Sequence, residues 1–206
     1  AFRFIGSVSK MKYLLSVLQK LKNRISRIWF SFAYKPLFLS FGQRSFFHNS
    51  FRLEGIESIA VGDSSIFQSG CWLYCVPIDG IKGSLSIGSH CVLGYNNHIT
   101  SVRDVVIEDF VLTANNVYIS DNLHAYNDID VPIILQPVKF KASVRIGRGS
   151  WLGENVSIIG ASIGRNCVIG ANSVVTKDIP DFSVAVGIPA VVIKHFDVEQ
   201  QLWVAN

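Results

Sequence analysis

From its first residue to Leu53 the chain carries no acidic side chain. Ten Lys/Arg stand there (Arg3, Lys10, Lys12, Lys20, Lys22, Arg24, Arg27, Lys35, Arg44, Arg52), whereas the remainder sets nine against fifteen Asp/Glu. Two regions with different partners follow from that asymmetry. Long uncharged apolar runs are also missing. Nothing approaches the ~18–20 residues of a membrane span, and no signal-peptide cleavage pattern appears, so the N-terminal segment is predicted neither to cross a bilayer nor to be removed. The four cysteines (Cys71, Cys75, Cys91, Cys167) show no CxxC spacing. That leaves no disulfide framework, and they read as small buried residues of a reduced, cytosolic chain. The five histidines are scattered, with only His90 and His98 near each other, so no three-imidazole zinc site and no metal are expected. No nucleic-acid motif accompanies the basic charge, and no nucleic-acid partner is expected.

What is present begins with a helical pattern. Met11, Leu14, Leu15, Leu18, Leu21, Ile25, Ile28, Trp29 and Phe32 recur at three- and four-residue spacing among lysines and arginines, the signature of an amphipathic helix. Residues 1–53 are therefore read as a basic amphipathic helical arm. Its apolar face would lie on an anionic membrane surface through residues 1–35, or pack on its own domain or a sister subunit.

A different period governs the rest. Val61-Gly62, Ile87-Gly88, Leu93-Gly94, Ile146-Gly147, Leu152-Gly153, Ile163-Gly164 and Ile169-Gly170 repeat one aliphatic-glycine pair, and Ile107, Thr113 and Ile119 keep the spacing of six. Four residues after the aliphatic stands a compact residue, among them Ser65, Cys71, Cys91, Val117, Ser150, Cys167 and Ser173. Neither 3.6 nor 2 explains a period of six. A short flat strand plus a tight bend does, and three such units close a triangular coil of about eighteen residues. Glycine suits the crowded bend. Asn116, Asn155, Asn166 and Asn172 stand where left-handed backbone angles are expected. The fold class is all-β: a parallel β-helix over residues 54–195, with an N-terminal helical arm and a tail at 196–206.

The run SWLGENVSIIGASIGRNCVIGANSVVTKDIP and the closing VGIPAVVIK resemble the hexapeptide-repeat acyltransferases, most closely the sugar O-acetyltransferases of O-antigen, capsule and colanic acid pathways. The resemblance implies a left-handed coil, a homotrimer, acetyl-CoA as co-substrate and a saccharide acceptor.

The period breaks between Ile119 and Ile146, so a loop must leave the prism over 121–143. It reads SDNLHAYNDIDVPIILQPV and holds one histidine, His124. Moving an acyl group from a thioester to a hydroxyl needs a base, and imidazole suits neutral pH. His124 also matches the family's catalytic histidine. Asp121 or Asp128 is a candidate to orient its ring. Asn122 stands where many relatives have a second histidine. In LGYNNHITS, Asn96 matches a family asparagine that contacts acceptor or intermediate, and it also falls in the column of bend asparagines. Asn97 and His98 are lesser candidates there. For the donor, the resemblance implies Trp151 lining the site, with Trp72 in the equivalent outward column. It also implies backbone groups at Gly153 and Ala171, with Lys177 and Lys194 near the phosphates. An acetyl-CoA-dependent O-acetyltransferase of a cell-surface saccharide is the leading reading. The alternatives are an N-acetyltransferase of a nucleotide-linked amino sugar and a non-catalytic scaffold.

Overall fold

A computed structural model describes residues 2–205. Helix α1 (Phe2–Ala33) leads into short strands that stack in parallel on three sheets. The first sheet takes Ser40–Phe41, Ile59–Val61, Ser84–Ile87, Asp104–Ile107 and Val144–Ile146. The second begins Phe46–Phe47, Ile66–Phe67, Val92–Leu93 and Leu112–Thr113 and runs on through Trp151–Leu152, Val168–Ile169 and Ser183–Gly187. The third takes Phe51–Glu54, Cys71–Cys75, His98–Ser101, Tyr118–Ser120, Ser157–Ile159 and Val174–Val175. The chain visits the three in rotation, which is the triangular parallel β-helix that the six-residue period predicts.

The repeat positions form the core. On the first sheet Val61, Ile87, Ile107 and Ile146 stand in register, and on the third Leu73, Ile99, Ile119, Ile158 and Val175 do. All are at most 3% exposed. The compact residues four places on turn inward at the corners, where Ser65 Oγ donates to the Gly88 carbonyl at 2.7 Å and Ser150 Oγ to the Gly164 carbonyl at 2.8 Å. Cysteine replaces serine at Cys91 and Cys167, both buried.

Glycine and asparagine divide the work at the bends. A Cβ on Gly94 would lie 2.2 Å from the Ala114 carbonyl oxygen, so glycine is required by the close approach of the next coil. Left-handed angles fall on Asn96, Asn116, Asn155, Asn166 and Asn172, with φ from 49° to 59°, where the Asn side chain tolerates what most residues resist, and at other bends on Ser64, His90, Phe110 and Phe182 or on Gly70 and Gly149.

The stack begins at Ser40, inside the segment that the sequence assigns to the basic arm. Its first coil repeats the pair as Phe41-Gly42 and places Phe47 inward, so aromatic bulk hides the aliphatic pattern. Bulk is needed because this coil is the end of the prism. Phe30, near the end of α1, is 2% exposed and meets Phe38, Phe41, Phe47 and Phe51 at ring distances of 5.2–6.1 Å, closing that end. At the other end, Ala190–Asp197 and Leu202–Ala205 extend the second sheet antiparallel.

Where the period breaks, the chain leaves the third sheet at Asp121 and forms an antiparallel hairpin of Asn122–His124 with Val138–Phe140. Both ends are pinned to one residue, since the amides of Lys141 (2.8 Å) and Ala142 (3.4 Å) donate to the Asp121 carbonyl. Val144 then pairs with Val105 as though nothing intervened.

Candidate active site

The outward side of the third sheet carries an unusual row. Arg52, Trp72, His98 and Tyr118 stand in register on successive strands, about 4.8 Å apart as sheet spacing demands. The first three stack: the Arg52 guanidinium lies 4.2 Å over Trp72 and the Trp72 and His98 rings are parallel at 4.0 Å, whereas Tyr118 meets His98 tilted by 51° at 5.2 Å. Arg52 Nε also pairs with Glu54 at 2.7 Å. The hairpin overhangs this platform, and the two enclose a cleft of about 490 Å³ whose walls include Tyr74, Thr100, Asn122 and His124.

His124 lies at the rim. Its ring is exposed and accepts or donates no hydrogen bond among the described residues. Asp121 does not face it. The buried Asp121 carboxylate accepts amide N–H groups of Val102 (3.0 Å), Arg103 (2.8 Å) and Asp104 (3.0 Å), and the Asn122 side-chain amide at 2.9 Å. These amides form the bend of the coil below, so the carboxylate ties the root of the hairpin to the prism. Asn122 adds a second tie, donating to Thr100 Oγ1 at 3.3 Å. The Asp128 carboxylate is turned into its own loop, where it accepts the Asp130 amide at 3.0 Å.

His98, half-buried in the row, titrates below its ordinary 6.5, first because partial burial disfavours the imidazolium and second because Arg52 is nearby; Glu54 opposes the shift. The unfolded chain therefore takes up this proton before the folded one does. The stability that neutral His98 confers is complete above 6.5 and is lost as pH falls from 6.5 through the lowered folded value. Urea midpoints of the wild type are expected to drop between pH 7.5 and 5.5 by more than those of His98→Gln. Equal drops would show that His98 is not held neutral by its surroundings.

The donor candidates lie elsewhere on the prism. Trp151 is 48% exposed on the second sheet, and Val168, Val184 and the exposed Lys194 follow it in register. Gly153 and Ala171 stack at the corner joining the second and third sheets, where a Cβ on Gly153 would meet the Ala171 nitrogen at 2.7 Å. Lys177 is exposed just beyond Val174–Val175. Asn96 lies on the same second-to-third corner, donating to Asn116 Oδ1 at 3.4 Å, and does not line the cleft. Asn97 is buried and bonds the bend beside it, donating to the Gly94 carbonyl and Thr113. One chain thus brings His124, His98, Trp72 and Asn122 together, and sets the donor candidates on another face. Sequence reading missed Arg52, Glu54, Tyr74 and Tyr118 as cleft walls. The available signal was position, since Arg52, Trp72, His98 and Tyr118 each precede an inward residue of the third sheet. Among the described residues no group of three His, Cys, Asp or Glu side chains is placed to hold a metal ion. Burial raises the Cys71 thiol to about 12 and is the main cause of about 11 at Cys75, so neither offers a thiolate at neutral pH.

Residues 143–177 match the family model described as the hexapeptide repeat of succinyl-transferase. The chain is 40% identical over 157 residues to a probable acetyltransferase of Mycobacterium tuberculosis, covering 74% of this chain and 51% of that one. These matches show the resemblance to hexapeptide-repeat acyltransferases. A putative lipopolysaccharide biosynthesis O-acetyl transferase of Escherichia coli is 38% identical over 114 residues, 52% of this chain and 58% of that protein. The chain thus spans little more than half the length of these curated relatives. Among hexapeptide acyltransferases of known structure, an N-acyltransferase from Bacillus cereus, solved with dTDP and 3-hydroxybutyryl-CoA, shares the fold with a TM-score of 0.68. It is 18% identical, and the match covers 81% of this chain and 87% of that one. No helix among the described residues is long and apolar enough to cross a membrane.

Proposed function

We propose that the chain transfers an acetyl group from acetyl-CoA to a hydroxyl of a cell-surface saccharide or its precursor. One observation carries this reading: an exposed imidazole, His124, shares a single cleft with the stacked Trp72 and His98 rings and the tilted Tyr118. Arg52 and His98 cover the two faces of Trp72, so the row turns ring edges to the cleft, and these polar edges, with the Arg52–Glu54 pair at one end, suit the hydroxyls of a saccharide. His124 takes the hydroxyl proton as the oxygen attacks the thioester carbonyl. The C–S bond then breaks, the departing thiolate recovers that proton from the imidazolium, and an acetyl ester and free CoA result. His124 is the catalytic residue and Asp121 a positioning residue, acting through the root of the hairpin.

The donor strip of Trp151, Gly153, Ala171 and Lys194, with Lys177 beyond it, lies away from the cleft of its own chain. A reaction centre therefore needs a neighbouring copy to bring thioester and imidazole together, which supports a homotrimer. Dependence on acetyl-CoA supports a cytoplasmic site of action. The similarity to the Escherichia coli protein named for lipopolysaccharide biosynthesis supports the saccharide class.

An amine of a nucleotide-linked sugar would use the same base and donor. Calorimetric titration with acetyl-CoA at neutral pH tests the shared step, with saturation near one site per chain expected. Lack of binding at millimolar donor would turn the reading toward a non-catalytic scaffold. Exposure of the product to mild alkali separates the acceptors, because an ester is cleaved and an amide survives.

A further inference from the structure

Within the apolar stripe of α1, which Leu15, Val17 and Trp29 broaden at its flanks, seven residues keep a stricter spacing than amphipathicity needs. Met11, Leu14, Leu18, Leu21, Ile25, Ile28 and Phe32 are separated by three, four, three, four, three and four residues, a heptad seam unbroken by any polar residue. All seven are exposed, from 51% at Leu18 to 81% at Phe32. Phe30, the residue that α1 buries in the end of the prism, occupies the heptad position opposite the seam. The prism therefore holds the helix by its back, and the seam faces away from the chain's own domain.

We propose that residues 11–32 form a parallel coiled coil with other copies of this chain. Three arguments favour a second copy over a lipid surface. A straight helix drifts by ~20° per heptad against a strict repeat of seven, so a seam kept over three heptads matches a supercoiled partner better than a flat bilayer. The seam is ~33 Å long at 1.5 Å per residue, enough for three full heptads. The flanking positions also fit a parallel pairing, in which each flank residue meets the one five places on in the neighbour. Val17 then meets Lys22 and Arg24 meets Trp29, so a cation faces an apolar or aromatic side chain and no two cations oppose each other. Absence of acid from the arm leaves no salt-bridge code, and the apolar seam alone must hold the strands together. The proposal is independent of the acetyl-transfer reading.

Single cysteines on the full chain test it, because all four native cysteines are buried. Met11→Cys and Ile25→Cys each place a thiol on the seam, and Ser16→Cys places one at the position opposite. Under mild oxidation both seam variants are expected to give disulfide-linked chains on a denaturing gel, at least tenfold above Ser16→Cys. Linkage at both seam sites also fixes the pairing as parallel, since residues 11 and 25 are ~21 Å apart along the axis. Equal linkage from Ser16→Cys, or none from the seam, would overturn the coil. Flotation of the unlinked wild type with phosphatidylglycerol vesicles would then assign the stripe to anionic lipid.

Discussion

His124→Ala is expected to lower kcat by ~10²–10⁴-fold, the usual contribution of a positioned general base. The affinity for acetyl-CoA should stay within about twofold, because the donor strip lies on another face of the prism and shares no residue with the hairpin. His98→Gln is the necessary companion, as His98 is the other imidazole of the cleft. Enclosed between Trp72 and Tyr118, His98 serves the platform in this reading, so its replacement should raise the acceptor KM and change kcat by less than tenfold. A kcat collapse in His98→Gln with His124→Ala nearly unaffected would transfer the base to the platform.

Asp121→Ala is expected to destabilise the protein by ~3–5 kcal/mol, measured by urea unfolding. The substitution strands the amides of Val102, Arg103 and Asp104 around a buried void. Each unpaired buried donor costs ~1–3 kcal/mol, and those bonded to a charged group stand at the upper end. Asp121→Asn keeps one acceptor oxygen and should recover roughly half. Activity supplies a second readout. With its root released, the hairpin should present His124 less accurately, lowering kcat in Asp121→Ala and restoring much of it in Asp121→Asn while acetyl-CoA affinity holds. A loss below 1 kcal/mol would mean that water replaces the carboxylate and that the clamp does not set the hairpin.

The two residues also show which parts of the molecule are legible from sequence. His124 is conspicuous because it is the lone histidine where a strict period fails, and the period itself is readable because few residue types fit a crowded inward column. Asp121 is visible only as a nearby acid. Its partners are fixed by the bend of the coil below, a relation that exists only once register is known. The end coil escapes for another reason, since Phe41 and Phe47 obey the period with the wrong residue type. The platform is hardest to see. Outward positions on a β-helix follow no hydrophobic rule, so Arg52, Trp72, His98 and Tyr118 declare themselves only when stacked strand upon strand.

The hairpin is tied to the prism at its root, through the Asp121 carboxylate and the Asn122 side chain, and the strand after it resumes its pairing undisturbed. Its far part, where Ile129 is 94% and Ile134 85% exposed, is not anchored in the core of its own chain. Such an attachment makes the segment an interchangeable cassette. Its length and composition can drift without disturbing the coil beneath, so one rigid scaffold can be refitted to new acceptors by rewriting about a dozen residues.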